Sequence, residues 1–239
     1  MCIRDRFSFI TFYQRRIARI APAFFTVALA TITGSYYIYT SQDFASAGAN
    51  LLAATLSIAN LKYMLQGNYF DISPDAQPFL HYWSLSVEEQ FYFIFPLFIF
   101  LIFRYAYKYL ALSVAVLLSM SLLACIFSTY VKPVWAFYLL PTRLWELCSG
   151  SLLAIKYSQT NRPHLYFIKH LPTLGLIIIG LSIFLIHESP SFPGWQAIFP
   201  VIGAVAIIFP RNNSNDWVKR FLSCRLMVNI GKMSYSLYL

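Results

Sequence analysis

The sequence predicts an all-α integral membrane protein: a polytopic helical bundle of about six full spans, one re-entrant or amphipathic segment and the opening turns of a further span. Three observations predict it. Of the 239 residues, 59% are hydrophobic, 18% are aromatic and only 11% are charged, where a soluble domain carries about 25% charged residues. A soluble chain of this length has too little interior to hide that much apolar surface. Apolar runs near the ~20 residues that a bilayer crossing needs recur along the chain. The formal net charge of +9 gathers in the loops of one side, as the positive-inside rule expects. Together these exclude a soluble enzyme, a disordered tail and a nucleic-acid-binding module.

The runs follow in order. Ile20 to Tyr39 is the first long enough to cross, Trp83 to Phe103 the second and Tyr109 to Tyr130 the third. Val134 to Ile155 is the fourth and Leu171 to His187 the fifth. The sixth, Phe192 to Phe209, is interrupted by Pro193 and Pro200, which break helical hydrogen bonding. A seventh opens near Leu226.

Phe44 to Leu65 is long enough to span but weaker in character. Its polar residues Ser46, Asn50, Ser57 and Asn60 fall on one helical face. A crossing with a polar face, a re-entrant segment and an interfacial helix all fit that pattern. Charge decides between them. With the N-terminal end inside and this segment uncounted, the cytoplasmic side receives Arg4, Arg6, Arg15, Arg16, Arg19, Arg104, Lys108, Lys156, Arg162, Lys169, Arg211, Lys219, Arg220 and Arg225, which is 14 of the 18 basic residues. Only Lys62 and Lys132 lie outside, while Arg143 and Lys232 fall within spans or at their mouths. Counting the segment as a crossing would turn the two most basic loops outward. The expectation is therefore a long outer segment, Ser41 to Tyr82, that dips in without crossing.

The N-terminus lacks the apolar core and small-residue cleavage site of a secretory signal. The four cysteines, Cys2, Cys125, Cys148 and Cys224, show neither a disulfide framework nor metal-ligand spacing.

Ionisable residues inside apolar runs are the informative ones. A charge at the bilayer centre costs roughly 2.5–3.5 kcal/mol on insertion scales, so it faces a cavity or a partner. One such place is the stretch from Phe79 to Tyr92, with His81, Trp83, Ser84, Glu88, Glu89 and Tyr92. Glu88 and Glu89 point about 100° apart on a helix and cannot serve one site equally. Neutralising the dipole at a helix start is the plain reading of both, with Tyr82 and Trp83 as interfacial anchors. The second place is Phe137 to Gly150, where Arg143 and Glu146 stand at i and i+3. They either form an intrahelical pair or aim a cation at an anionic substrate or at Glu88, a role suited to the bidentate guanidinium. The third is Phe12 to Pro22, with Arg15, Arg16 and Arg19. This cluster either anchors the chain to lipid phosphate or captures a phosphorylated cytosolic ligand.

These clusters, taken in order, resemble the acyltransferase 3 family of bacterial membrane O-acyltransferases. The matching residues are Phe12-Tyr13, Arg15-Arg16 and Arg19. Next come His81, Trp83-Ser84-Leu85 and Glu88-Glu89-Gln90-Phe91-Tyr92. Then follow Phe137-Tyr138, Pro141, Arg143, Trp145-Glu146-Leu147, Gly231-Lys232 and Ser234 to Leu239. The wording of Trp83 to Tyr92 and of Ser234 to Leu239 is similar to the branch whose members often carry a C-terminal SGNH-type domain.

The resemblance implies transfer of an acyl group, usually acetyl, from cytosolic acyl-CoA to a hydroxyl of a cell-surface polysaccharide or glycolipid, in the bacterial cytoplasmic membrane. Acyl-CoA is the donor substrate and no bound cofactor or metal is implied. The partners are membrane lipid, acyl-CoA and an envelope saccharide, with no nucleic acid. Glu88, Arg143 and Glu146 then read as cavity-lining candidates for the chemistry, and Arg15, Arg16 and Arg19 as binding the CoA phosphates. His81, Trp83, Ser84, Glu89 and Tyr92 read as the substrate-binding set. The family's first span, with the histidine taken for its base, has no counterpart among these residues, and residues 1–6 fit no part of the pattern. The expectation is a partial acyltransferase domain over 1–239 that is inactive alone. A transporter or flippase fragment is the rival reading, with the intramembrane Arg and Glu residues as an ion or substrate path.

Overall fold

The structure, a computed structural model, describes residues 8–67, 77–159, 170–186, 192–209 and 217–239. The N-terminal residues 1–6 with Cys2, the loop cations Arg162, Lys169 and Arg211, and the His187 end of the fifth run lie outside the described residues. Among the described residues there is no strand; the fold is entirely helical. Two helical stretches, Phe9–Ile38 and Tyr82–Val131, are long and apolar enough to cross a membrane. Leu171–Leu185 and Ile198–Ile208 are shorter apolar helices.

Helix α1 (Phe9–Ile38) starts well before the first apolar run. Ser8 caps it, its side chain accepting from the Thr11 N–H. The arginine cluster is therefore helical and not a loop. Helix α4 (Tyr82–Ala106) lies antiparallel to α1. Phe9 meets Phe100, Tyr13 meets Phe93 and Phe24 meets Tyr82 at ring-centroid separations of 5.3, 6.3 and 5.3 Å. This register has a consequence for depth. The middle of the Trp83–Phe103 run faces Tyr13, whereas the middle of the Ile20–Tyr39 run lies some sixteen residues further along α1. At 1.5 Å per residue the two runs are staggered by about 25 Å. A slab that holds the α4 run also takes in the first half of α1, with Arg15, Arg16 and Arg19.

The ambiguous segment is not one helix. It divides into α2 (Ser41–Thr55) and α3 (Ala59–Gln66). At 15 residues α2 is about 22 Å long, shorter than the ~30 Å hydrocarbon core. It runs back along α1, with Tyr36 and Phe44 in ring contact at 5.7 Å. Its end is a Schellman turn. Ser57 takes a left-handed φ of 56°, its N–H donates to Ala54 O at 3.0 Å, and the Ile58 N–H donates to Ala53 O at 2.9 Å. These bonds satisfy carbonyls that the helix end leaves open. The chain then turns against α4, where the buried Ser86 hydroxyl accepts from the Ala59 N–H at 3.2 Å. The segment thus packs beside α1 and then turns onto α4. Asn60 explains part of its polar face. It exchanges hydrogen bonds with Gln90 of α4 and donates to Tyr138 O at 3.1 Å.

After a 3-10 turn at Tyr107–Tyr109 the chain enters α5 (Leu110–Val131). The fourth run, expected as one span, is broken into α6 (Pro133–Tyr138) and α7 (Leu140–Gln159). Pro141 is the cause. It has no N–H to give and its ring excludes the carbonyl four residues back, so Leu139 turns extended at ψ 141°. Side chains satisfy the opened backbone. The buried Thr142 hydroxyl lies 2.8 Å from Leu139 O, 3.0 Å from Ala136 O and 3.2 Å from Trp135 O. Ser121 of α5 donates to Pro141 O at 2.6 Å and accepts from the Trp145 N–H at 3.0 Å. Cys125 of α5 and Cys148 of α7 are buried free thiols.

Helix α8 (Leu171–Leu185) packs on α9 (Ile198–Ile208), and α9 is shorter than the expected sixth run. The two backbones approach at Gly175 and Gly203. A Cβ at Gly175 would stand 2.6 Å from the Gly203 carbonyl oxygen, so small residues set this contact. Helices α10 (Trp217–Leu222) and α11 (Arg225–Tyr238) follow, and α11 lies against α1.

Candidate active site

The start of α4 is the centre of the site. Glu89 sits two turns in, and the antiparallel register brings Arg16 of α1 onto it. Arg16 Nη2 donates to Glu89 Oε1 at 2.7 Å and Arg16 Nε to Glu89 Oε2 at 3.1 Å. This is the paired, fork-like geometry that suits a guanidinium and a carboxylate. The guanidinium also lies 3.3 Å from the centroid of the Tyr92 ring. Tyr13, one turn before Arg16, sends its hydroxyl to the carbonyls of Tyr92 and Phe93 at 3.3 and 3.2 Å. Glu88 is the lesser partner, 3.6 Å from Arg16 and more exposed than Glu89. The two adjacent carboxylates serve different places, as their angular separation requires.

Pro141 builds the second half. The Phe137 carbonyl, four residues before the proline, accepts from Arg143 Nε at 3.0 Å. Arg143 Nη1 donates to Glu146 Oε2 at 3.3 Å, which is the i to i+3 pairing that the spacing allowed. The guanidinium sits 5.2 and 5.1 Å from the ring centroids of Trp83 and Phe137. Arg143 is therefore held by a carboxylate, a carbonyl and two aromatic faces. Its ion-pair partner is Glu146, not Glu88.

Three cavities meet around these groups. One of about 710 Å³ is lined by Arg15, Arg16 and Arg19 together with Glu88, Glu89 and Tyr92. Among the described residues, neither Arg15 nor Arg19 has an ion-pair partner. A second, of about 510 Å³, holds Arg143, Glu146, Trp83, Ser84, Glu88 and Arg19. A third, of about 530 Å³, is mainly apolar, with Ile17, Ile20, Phe24, Phe25, Phe93 and Ile94. Of the residues singled out by sequence, all but His81 line one or more of these cavities.

His81 has another place. Its Nε2 lies 3.1 Å from Leu239 O, and its ring packs edge-on to Tyr238. Burial holds the imidazole below its ordinary value, partly offset by the contact with Leu239 O. The Tyr238 hydroxyl donates to His81 O at 3.2 Å and meets Ser84, whose own hydroxyl reaches His81 O at 3.1 Å. His81 thus docks α11 onto the start of α4. Sequence reasoning gave no site role to Ser234, Tyr235 and Tyr238, yet all three line the Arg143 cavity. The available signal was their spacing, since Ser234 and Tyr238 stand at i and i+4 and Tyr235 adjoins them on one side of a helix.

The family of the Acyltransferase domain matches residues 3–239. The chain belongs to the acyltransferase 3 family. It is 33% identical over 224 residues to an uncharacterized protein of Haemophilus influenzae (strain ATCC 51907 / DSM 11121 / KW20 / Rd), covering 89% of this chain and 91% of that one. It is 26% identical over 242 residues to a Staphylococcus aureus (strain COL) protein named "Putative O-acetyltransferase". A Komagataeibacter xylinus protein named "Putative membrane-bound transacylase" is 27% identical over 231 residues. The last two matches cover 96% of this chain but only 40% and 58% of the relatives' own lengths. No solved structure matches the chain. The family fixes the class of chemistry as acyl transfer in a membrane protein.

Proposed function

We propose that this acyltransferase moves an acyl group, acetyl in the first instance, from cytosolic acyl-CoA to a hydroxyl of a cell-surface polysaccharide or glycolipid. The observation that carries the reading is the junction of two cavities. The chamber with Arg15 and Arg19, which have no ion-pair partner among the described residues, and the chamber with Arg143 and Glu146 share Arg19, Leu85, Glu88 and Tyr235. The sharing supports an anion-binding end that adjoins a polar chamber with a fixed cation.

In the reaction the acceptor oxygen bonds to the acyl carbon and the carbon–sulfur bond breaks. Sulfur leaves with the electron pair, and the hydroxyl proton ends on the CoA thiol. The acyl oxygen carries negative charge between the two steps. Arg15 and Arg19 hold the CoA phosphates as charge-assisted donors. Arg143, fixed by Glu146 and Phe137 O, faces the charge that develops on the acyl oxygen. Glu88 lines the acceptor face. The molecule crosses a bacterial cytoplasmic membrane about six times, with its N-terminal end cytoplasmic and residues 41–66 dipping in.

The test uses the protein expressed from its complete reading frame. Membranes are supplied with acetyl-labelled acetyl-CoA, and the label in purified envelope saccharide is counted. Transfer is expected from the wild type and a loss of tenfold or more from Arg143→Lys at equal expression. No label in any envelope saccharide refutes the reaction. Unchanged turnover in Arg143→Lys returns that residue to a structural pair.

A further inference from the structure

Two side chains line all three cavities: Leu85 of α4 and Tyr235 of α11. Leu85 offers only carbon. Tyr235 brings a phenol to the point where the arginine chamber, the Arg143 chamber and the apolar chamber meet. Its neighbours on α11 and α1 spend their hydroxyls on protein. Tyr238 donates to His81 O, and Tyr13 donates to Tyr92 O and Phe93 O. Among the described residues the Tyr235 hydroxyl has no hydrogen-bond partner. It sits on a helix whose end is fixed to α4 through His81, Ser84 and Tyr238, three to four residues away. A side chain one turn from such an anchor is held in place.

We propose that the Tyr235 hydroxyl hydrogen-bonds to the acyl carbonyl oxygen of the donor at this junction. The inference rests on the acyl-CoA reading above. A donor whose phosphates lie on Arg15 and Arg19 must carry its thioester toward the acceptor chamber, and the shared residues mark where it arrives. Of the four residues common to those two chambers, Glu88 can only accept and repels a carbonyl oxygen. Leu85 has no polar group, and Arg19 lines both chambers but is a cation assigned above to the donor phosphates. Tyr235 is the neutral donor left. A neutral phenol suits the task because it stabilises charge developing on oxygen without holding the anionic donor too tightly before reaction. It keeps its proton throughout. Tyr235 also lines the apolar third chamber, so an acyl chain can extend there while its carbonyl stays on Tyr235.

The experiment compares wild type, Tyr235→Phe and Arg15→Gln/Arg19→Gln in membranes from the complete reading frame, with acetyl-CoA varied. Tyr235→Phe keeps the ring and removes only the hydroxyl. Its kcat is expected to fall on the order of 100-fold, as when one oxyanion donor is removed, with the KM for acetyl-CoA within twofold. The double arginine variant is expected to raise KM at least tenfold with a smaller change in kcat. Equal melting temperatures of wild type and Tyr235→Phe in detergent separate a chemical effect from misfolding. An active wild type with unchanged kcat in Tyr235→Phe, or a melting temperature that falls with the rate, overturns the Tyr235 proposal and leaves acyl transfer standing. A wild type that transfers no acyl group overturns the reading beneath it.

Discussion

Removing one partner of the Arg16–Glu89 pair tests the register of α1 on α4. The perturbation is a double-mutant cycle of Arg16→Ala, Glu89→Gln and the two combined. Arg16 makes two charge-assisted hydrogen bonds, at 2.7 and 3.1 Å, and its side chain is 17% exposed against 33% for Glu89. A hydrogen bond to a charged group is worth about 1.5–3 kcal/mol in mutational series. Partial exposure of Glu89 pulls the pair toward the ~0–1 kcal/mol of surface bridges, so a coupling of about 1.5–2 kcal/mol is expected. Arg16→Ala loses more than the coupling. It also gives up the stack on Tyr92 at 3.3 Å, worth about 0.5–2 kcal/mol. Glu89→Gln loses less, because Glu88 stands 3.6 Å from the same guanidinium and takes part of the load. Arg16→Lys keeps the charge but not the fork or the flat stack, and falls between. Reversible unfolding in detergent micelles, followed by circular dichroism, gives the four free energies. A coupling below ~0.5 kcal/mol would show that the pair does not hold α1 to α4, and the depth argument would fall with it.

Three other outcomes follow from single contacts. Gly175→Ala places a Cβ 2.6 Å from the Gly203 carbonyl and 2.9 Å from Ile207 Cγ1; overpacking of this kind costs about 1–3 kcal/mol, and an unchanged unfolding midpoint would deny the close α8–α9 contact. Thr142→Val removes a hydroxyl that reaches the carbonyls of Trp135, Ala136 and Leu139, and leaving a buried acceptor bare costs about 1–3 kcal/mol, read as a lowered unfolding free energy in micelles. His81, held below its ordinary value by burial, binds its proton more readily unfolded than folded. The stability it contributes is complete above pH ~6.5 and is lost as pH falls toward the folded value. Melting temperatures at pH 7.5 and 5 are expected to drop more for wild type than for His81→Gln, and equal drops would remove His81 from the account.

Much of this was legible in the chain because insertion into lipid is a matter of local composition. Helices appear where the apolar runs are, and the Arg143–Glu146 pair appears because i and i+3 are fixed by helix geometry. The breaks were harder to read. Pro141 stood in plain view, but the run around it is apolar enough to pass for one span. The side chains of Thr142, Arg143 and Ser121, the last from a different helix, satisfy the carbonyls that the interruption frees. The polar face of Phe44 to Leu65 was visible, while its division at Ser57 was not, because a left-handed serine carries no glycine signal. The pairing of Arg16 with Glu89 links residues 73 apart. It depends on the stagger of two helices, which no spacing within either helix encodes.

That pairing also decides which arginines are free. By spacing alone, Arg16 with Arg19 and Arg15 with Arg19 are equally good helical neighbours, and all three read as candidates for one anion site. Glu89 takes Arg16, and Glu146 takes Arg143. The charges left facing the joined chambers are Arg15, Arg19 and Glu88. Two cations against one carboxylate leave a formal excess of positive charge on this face. Arg15 and Arg19 stand at i and i+4 on one face, so a single phosphate-bearing group can bridge them. The ion pairs that look structural are what set this face apart. They remove two arginines from competition and confine the uncompensated charge to the side of α1 that opens on the cavity.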